Sequence, residues 1–117
     1  MRLPSGSRDG RGVVAPVAHW DDCRNALAIA RLLQTERRPA PLVSTACRMA
    51  VDSACRAALE QAGLPWDGDA GRALRRLGAP EVPLKDEDGA PVASAERAID
   101  WMAAYLRRAA PGRSWGF

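Results

Sequence analysis

Residues 46–63 read "ACRMAVDSACRAALEQAG", and the period of this stretch decides the fold. With Val43 just ahead of it, Cys47, Ala50, Val51, Ala54, Cys55 and Ala58 recur every three or four positions, the spacing of one helical face. Arg48, Asp52, Arg56 and Glu60 stand four apart on the opposite face, where each pairing of unlike charges supports a helix by about 0.2–0.5 kcal/mol. Gly63 suits the left-handed residue that closes a helix, and Pro65 prevents its continuation. The stretch therefore predicts a helix over 42–62. Small residues at 46, 50, 54, 57, 58 and 62 would let a neighbouring helix come close. Cys47 and Cys55 fall on the apolar stripe, so they are expected to be buried and unpaired, acting as small hydrophobes rather than nucleophiles.

The rest of the chain reads the same way. In 117 residues, with 47% apolar side chains dominated by Ala and only 5% aromatic, the expectation is a single all-α domain. A first helix is predicted over 21–36. Asp21 or Asp22 caps it, Cys23, Ala26, Leu27, Ala30 and Leu33 face inward, and Ile29 and Leu32 widen that stripe. Pro39 and Pro41 end it. A short helix is predicted over 69–77, capped by Asp69, with Ala70, Ala73, Leu74 and Leu77 inward and Arg72, Arg75 and Arg76 outward. Residues 79–93 form a loop with a "DEDG" turn. A last helix is predicted over 95–108, capped by Ser94, with Ala95, Ala98, Ile99, Met102, Tyr105 and Leu106 on its apolar face. The expected architecture is an antiparallel up-and-down bundle of three long helices and one short one. It occupies residues 15–110, between a flexible basic arm over 1–14 and a short tail over 111–117. Trp20 and Trp101 should pack at the core edge, and Trp66 should plug the end of the bundle.

The formal charge is +3, and every basic residue but Lys85 is Arg. Three clusters stand out: Arg37–Arg38, Arg72/Arg75/Arg76 and Arg107–Arg108. Cations at helix C-termini are favoured by the helix dipole alone. The alternative is a shared basic face for RNA or DNA phosphates, or for an acidic partner. An odd count of three cysteines with no CxxC pair argues against a disulfide framework and for a reducing, cytoplasmic compartment. The N-terminus lacks the apolar run of a signal peptide, and no stretch approaches the length of a membrane span. No phosphate-cradling glycine motif is present, and the single histidine, His19, has no zinc-ligand spacing with Cys23, so no metal site and no cofactor are expected. The acidic pairs Asp21–Asp22 and "KDEDG" are explained by capping and turns, which leaves no catalytic residue to name.

The succession "WDDCRNALAIARLLQTERRP", "AVDSACRAALEQAG", "ALRRL" and "AERAIDWMAAYLRR" resembles the HEPN (higher eukaryotes and prokaryotes nucleotide-binding) superfamily over about residues 20–109. The resemblance implies a helical bundle, commonly dimeric, with roles in toxin–antitoxin pairs, defence and RNA processing. It also implies, for many members, metal-independent ribonuclease chemistry from an Arg-x(4–6)-His motif in the last helix. Arg97 matches that arginine, but no histidine follows it, and His19 lies on another helix. The resemblance thus implies a non-catalytic interaction module that associates with itself as a homodimer or with a partner such as a nucleotidyltransferase-like protein. A small RNA- or DNA-binding subunit is the first alternative and a divergent ribonuclease the second.

Overall fold

The computed structural model describes residues 4–79 and 91–111, with side chains from residue 16 onward. All regular structure among them is helical: α1 (Pro4–Thr35), α2 (Ala40–Ala62), α3 (Ala70–Arg76) and α4 (Pro91–Ala109). The long axis of the molecule, 53 Å, is set mainly by α1. Its 32 residues at the helical rise span about 48 Å.

The small face of α2 organises the packing. This helix touches α1, α3 and α4, while α1 and α4 meet only narrowly. Ala50, Ala54, Cys55, Ala57 and Ala58 are wholly excluded from solvent, and the whole predicted stripe from Val43 to Ala58 is buried. Against it pack Trp20, Cys23, Leu27 and Ala30 of α1 and Ala98, Ile99, Met102 and Leu106 of α4, all with exposures of 1% or less. Tyr105 is only half-buried and stacks on Trp101, with ring centroids 5.9 Å apart.

The helix ends share one device. After α2, the Gly63 N–H donates to the Glu60 carbonyl and the Leu64 N–H to the Leu59 carbonyl, with Gly63 left-handed at φ 75°. That pair of bonds satisfies carbonyls that the last turn would otherwise strand. The α1–α2 connection repeats it with Arg37, which adopts φ 56° despite its side chain, while Arg38 N–H donates to the Leu33 carbonyl at 2.9 Å. At α3, the Asp69 carboxylate accepts from the Arg72 N–H at 3.0 Å, as its capping role predicts.

Three expectations are corrected. Helix α1 begins at Pro4, so residues 4–14, read as an arm, are helical. Pro16 lies inside that helix and is fully buried, although it cannot donate the helical hydrogen bond of its position. Asp21 and Asp22 are therefore interior positions, and Asp21 pairs instead with Arg24 one turn on. Helix α4 begins at Pro91, as proline's fixed φ allows in a first turn, so Ser94 is buried within the helix rather than capping it. Ile29 and Leu32 do not join the core stripe: they are 52% and 55% exposed. The "DEDG" turn, the tail beyond Pro111 and residues 1–3 lie outside the described residues.

Because the α2 face is packed without room for larger groups, Ala54→Leu should lower unfolding free energy by about 1–3 kcal/mol through overpacking. Urea denaturation followed by circular dichroism reads this directly, and an unchanged midpoint would contradict the close packing.

Candidate functional site

The arginine clusters lie on three different elements. Arg37 and Arg38 are exposed at the α1–α2 connection. Arg72, Arg75 and Arg76 are exposed on α3. Arg107 and Arg108 are exposed in the last turn of α4. Two of these side chains already have internal work. Arg72 pairs with Asp67 at 3.1 Å and, more loosely, with Asp69 at 3.8 Å. Arg76 donates to the Pro65 carbonyl at 2.9 Å. Arg97 donates to the Ser94 hydroxyl at 3.4 Å and belongs to neither of the concavities described next.

Two concavities flank α2. The larger, about 490 Å³, lies between α2, the start of α3 and the start of α4, with Ser44, Cys47, Arg48, Asp52, Asp69 and Pro91 on its walls. Burial raises the Asp52 carboxyl above its ordinary value; Arg48 and Arg56 oppose that and Asp69 adds to it.

The smaller, about 290 Å³, holds the combination that sequence reading missed. His19 of α1 lines it together with Arg56, Leu59 and Glu60 of α2 and Leu64 and Trp66 of the connection to α3. The guanidinium of Arg56 lies over the Trp66 ring, 5.3 Å from its centroid, a cation–π contact. The segment carrying Trp66 is itself tied down. Arg76 holds the Pro65 carbonyl, and the Asp67 carboxylate accepts from the Asp69 N–H at 3.1 Å and from Arg72. The hydrogen bond from Asp69, helped by Arg72, pulls the Asp67 carboxyl below its ordinary range. In sequence, Arg56 and Glu60 read as a solvated charge row and Trp66 as a plug. Only the return of the 64–69 connection toward α1 brings them to His19.

Cys23 and Cys55 line neither concavity. Cys23 and Cys55 have no exposed surface, and burial pushes both thiols up to about 12. The Cys55 thiol faces the Ala70 carbonyl at 3.9 Å. Cys47 is 5% exposed at the edge of the larger cavity. Among the described residues no three His, Cys, Asp or Glu side chains gather as metal ligands, and no helix is long and apolar enough to cross a membrane.

Comparison of the chain with protein-family models, with curated proteins and with solved structures finds no match.

The raised thiols carry a pH signature. Unfolded thiols ionise near their ordinary 9.0, whereas the folded ones hold their protons to about 12. Above pH 9 the unfolded state therefore binds fewer protons, and stability should fall as pH rises from about 9 toward 12. Urea midpoints under reducing conditions should drop between pH 8 and pH 10.5, and a Cys23→Ala/Cys55→Ala variant should lose much of that slope.

Proposed function

We propose that this chain is a non-catalytic helical interaction module of HEPN-like type, an up-and-down bundle that docks a partner protein on the end where α1 meets α2. One observation carries the reading. Among the described residues, Ile29, Leu32, Leu42 and Met49 are the large aliphatics that stand open to solvent, with exposures of 52%, 55%, 46% and 58%. All four lie within about three helical turns of the 36–39 connection, so they gather toward one end of the molecule. Scattered exposed leucines need no explanation, but grouped ones at helical spacing mark an interaction surface. The helix order, with a four-residue link between α1 and α2, supports the up-and-down reading.

The rim supports a choice of partner. Arg37 and Arg38 stand exposed at the same end, so a second copy of this chain would bring like charges together. An amphipathic helix with an apolar stripe and acidic flanks fits both the aliphatics and the arginines. This accords with the toxin–antitoxin and defence settings that the HEPN resemblance implies, where a nucleotidyltransferase-like protein is the expected class of partner.

The test is size-exclusion chromatography with light scattering on the purified chain, alone and mixed with the product of the adjacent gene. A one-to-one complex that Leu32→Glu and Met49→Glu each weaken at least tenfold, with unchanged circular dichroism, is expected. A strict monomer that ignores its neighbour, or a complex indifferent to both variants, would count against the reading. A dimer of this chain disrupted by the same variants would keep the surface and change its occupant.

A further inference from the structure

We propose that the cavity lined by His19, Arg56, Glu60 and Trp66 is a binding site for a small phosphate monoester carried on a short hydroxylated carbon chain. The polar groups arrive from different elements and converge on one space: an imidazole from α1, a guanidinium and a carboxylate one turn apart on α2, and an indole from the connection to α3. Leu59, 1% exposed, forms an apolar floor.

Arg56 is the anchor. It enters no ion pair among the described residues, and its guanidinium already rests against the Trp66 ring, 5.3 Å from the centroid. A guanidinium so placed loses little rotamer freedom when it binds an oxyanion and offers two parallel N–H donors. A planar carboxylate would satisfy that fork with both of its oxygens and leave His19 nothing to do. A tetrahedral phosphate presents a third oxygen, directed away from the first two, to which a ring N–H of His19 can donate.

Glu60 then selects among phosphates. Its carboxylate opposes an unaccompanied dianion and accepts from a hydroxyl on the ligand's carbon portion. Leu64 and the ring of Trp66 supply apolar surface for the carbons between the two polar ends. The space of about 290 Å³ has room for a phosphate with a short carbon chain.

The tether of the wall strengthens the argument. The Arg76 bond to the Pro65 carbonyl and the Asp67–Arg72 pair fix the segment on either side of Trp66. The site is therefore preformed, which lowers the ordering cost of binding.

His19 is the chain's one histidine, so its ring resonance reports on this cavity without assignment ambiguity. Proton NMR at pH 6.5 should follow that resonance during titration with glycerol 3-phosphate, inorganic phosphate, lactate and sodium chloride at matched ionic strength. Saturable shifts are expected with glycerol 3-phosphate, half-complete at about 1 mM, with weaker binding of inorganic phosphate. Arg56→Ala should weaken binding more than tenfold, and Arg56→Lys, which keeps the charge and loses the fork, several-fold. Both are exposed-site changes, and circular dichroism checks that the fold survives them. A stationary His19 resonance overturns the proposal, as does a shift that sodium chloride reproduces or that Arg56→Ala leaves intact. Lactate binding as tightly as glycerol 3-phosphate overturns the phosphate assignment.

Discussion

The close approach of three helices to the alanine face of α2 is the constraint on which the rest of the structure depends. Alanine offers little apolar area, so each buried residue on this face contributes modestly by itself. What it allows is proximity: with only methyl groups at Ala50, Ala54, Ala57 and Ala58, the larger side chains of α1 and α4 reach across and meet the α2 backbone closely. The bulk is supplied from outside, by Trp20, Leu27, Ile99, Met102 and Leu106. The arrangement is asymmetric, with one small-residue helix in the middle and large residues on its neighbours. It explains why α1 and α4 need so little contact with one another. The exposed pair of Arg31 and Glu96 links them, and such a surface pair adds at most a fraction of the packing energy.

The same constraint sets where the surface features fall. With its inner face committed, α2 has two flanks left. One carries Arg48 and Asp52 toward the turn into α3, and the other carries Arg56 and Glu60 toward His19. The charges that a helical wheel assigns to one solvated row are thus divided between two concavities. No ion pair forms among them within 4 Å; the Arg56 guanidinium turns to the Trp66 ring instead. An aromatic face beside a desolvated wall competes well with a carboxylate that water still screens.

Legibility in the sequence followed the locality of the cause. The stripe of α2, its Gly63 terminus and the Asp69 cap are decided within a few residues, and each stands where periodicity and capping rules put it. The start of α1 does not, because a stretch containing Gly10, Gly12 and Pro16 has poor intrinsic helix propensity and local rules point to an arm. Pro91 reads as loop in the sequence because proline usually breaks helices, although it is well suited to open one. Ile29 and Leu32 look inward-facing in sequence because hydrophobicity alone cannot tell a core stripe from a surface one on a helix with neighbours on one side only. The smaller cavity was invisible for a different reason. His19, Arg56 and Trp66 are far apart in the chain, and nothing local announces that the 64–69 connection folds back toward α1. Each of the three residues had an adequate bland explanation when taken singly.

Arg37 shows what the α1–α2 corner is mechanically. Glycine is the usual residue at a left-handed helix terminus, and an L side chain there costs about 1 kcal/mol or more. Glycine would also leave the corner free to explore many backbone angles, whereas Arg37, followed two residues later by Pro39 at φ −53°, restricts it on both sides. The two backbone bonds from Arg37 and Arg38 into the last turn of α1 complete the lock. The corner is therefore a bracket rather than a hinge. A load applied at this end is carried down α1 and α2 together, and the two longest helices of the chain move as one lever.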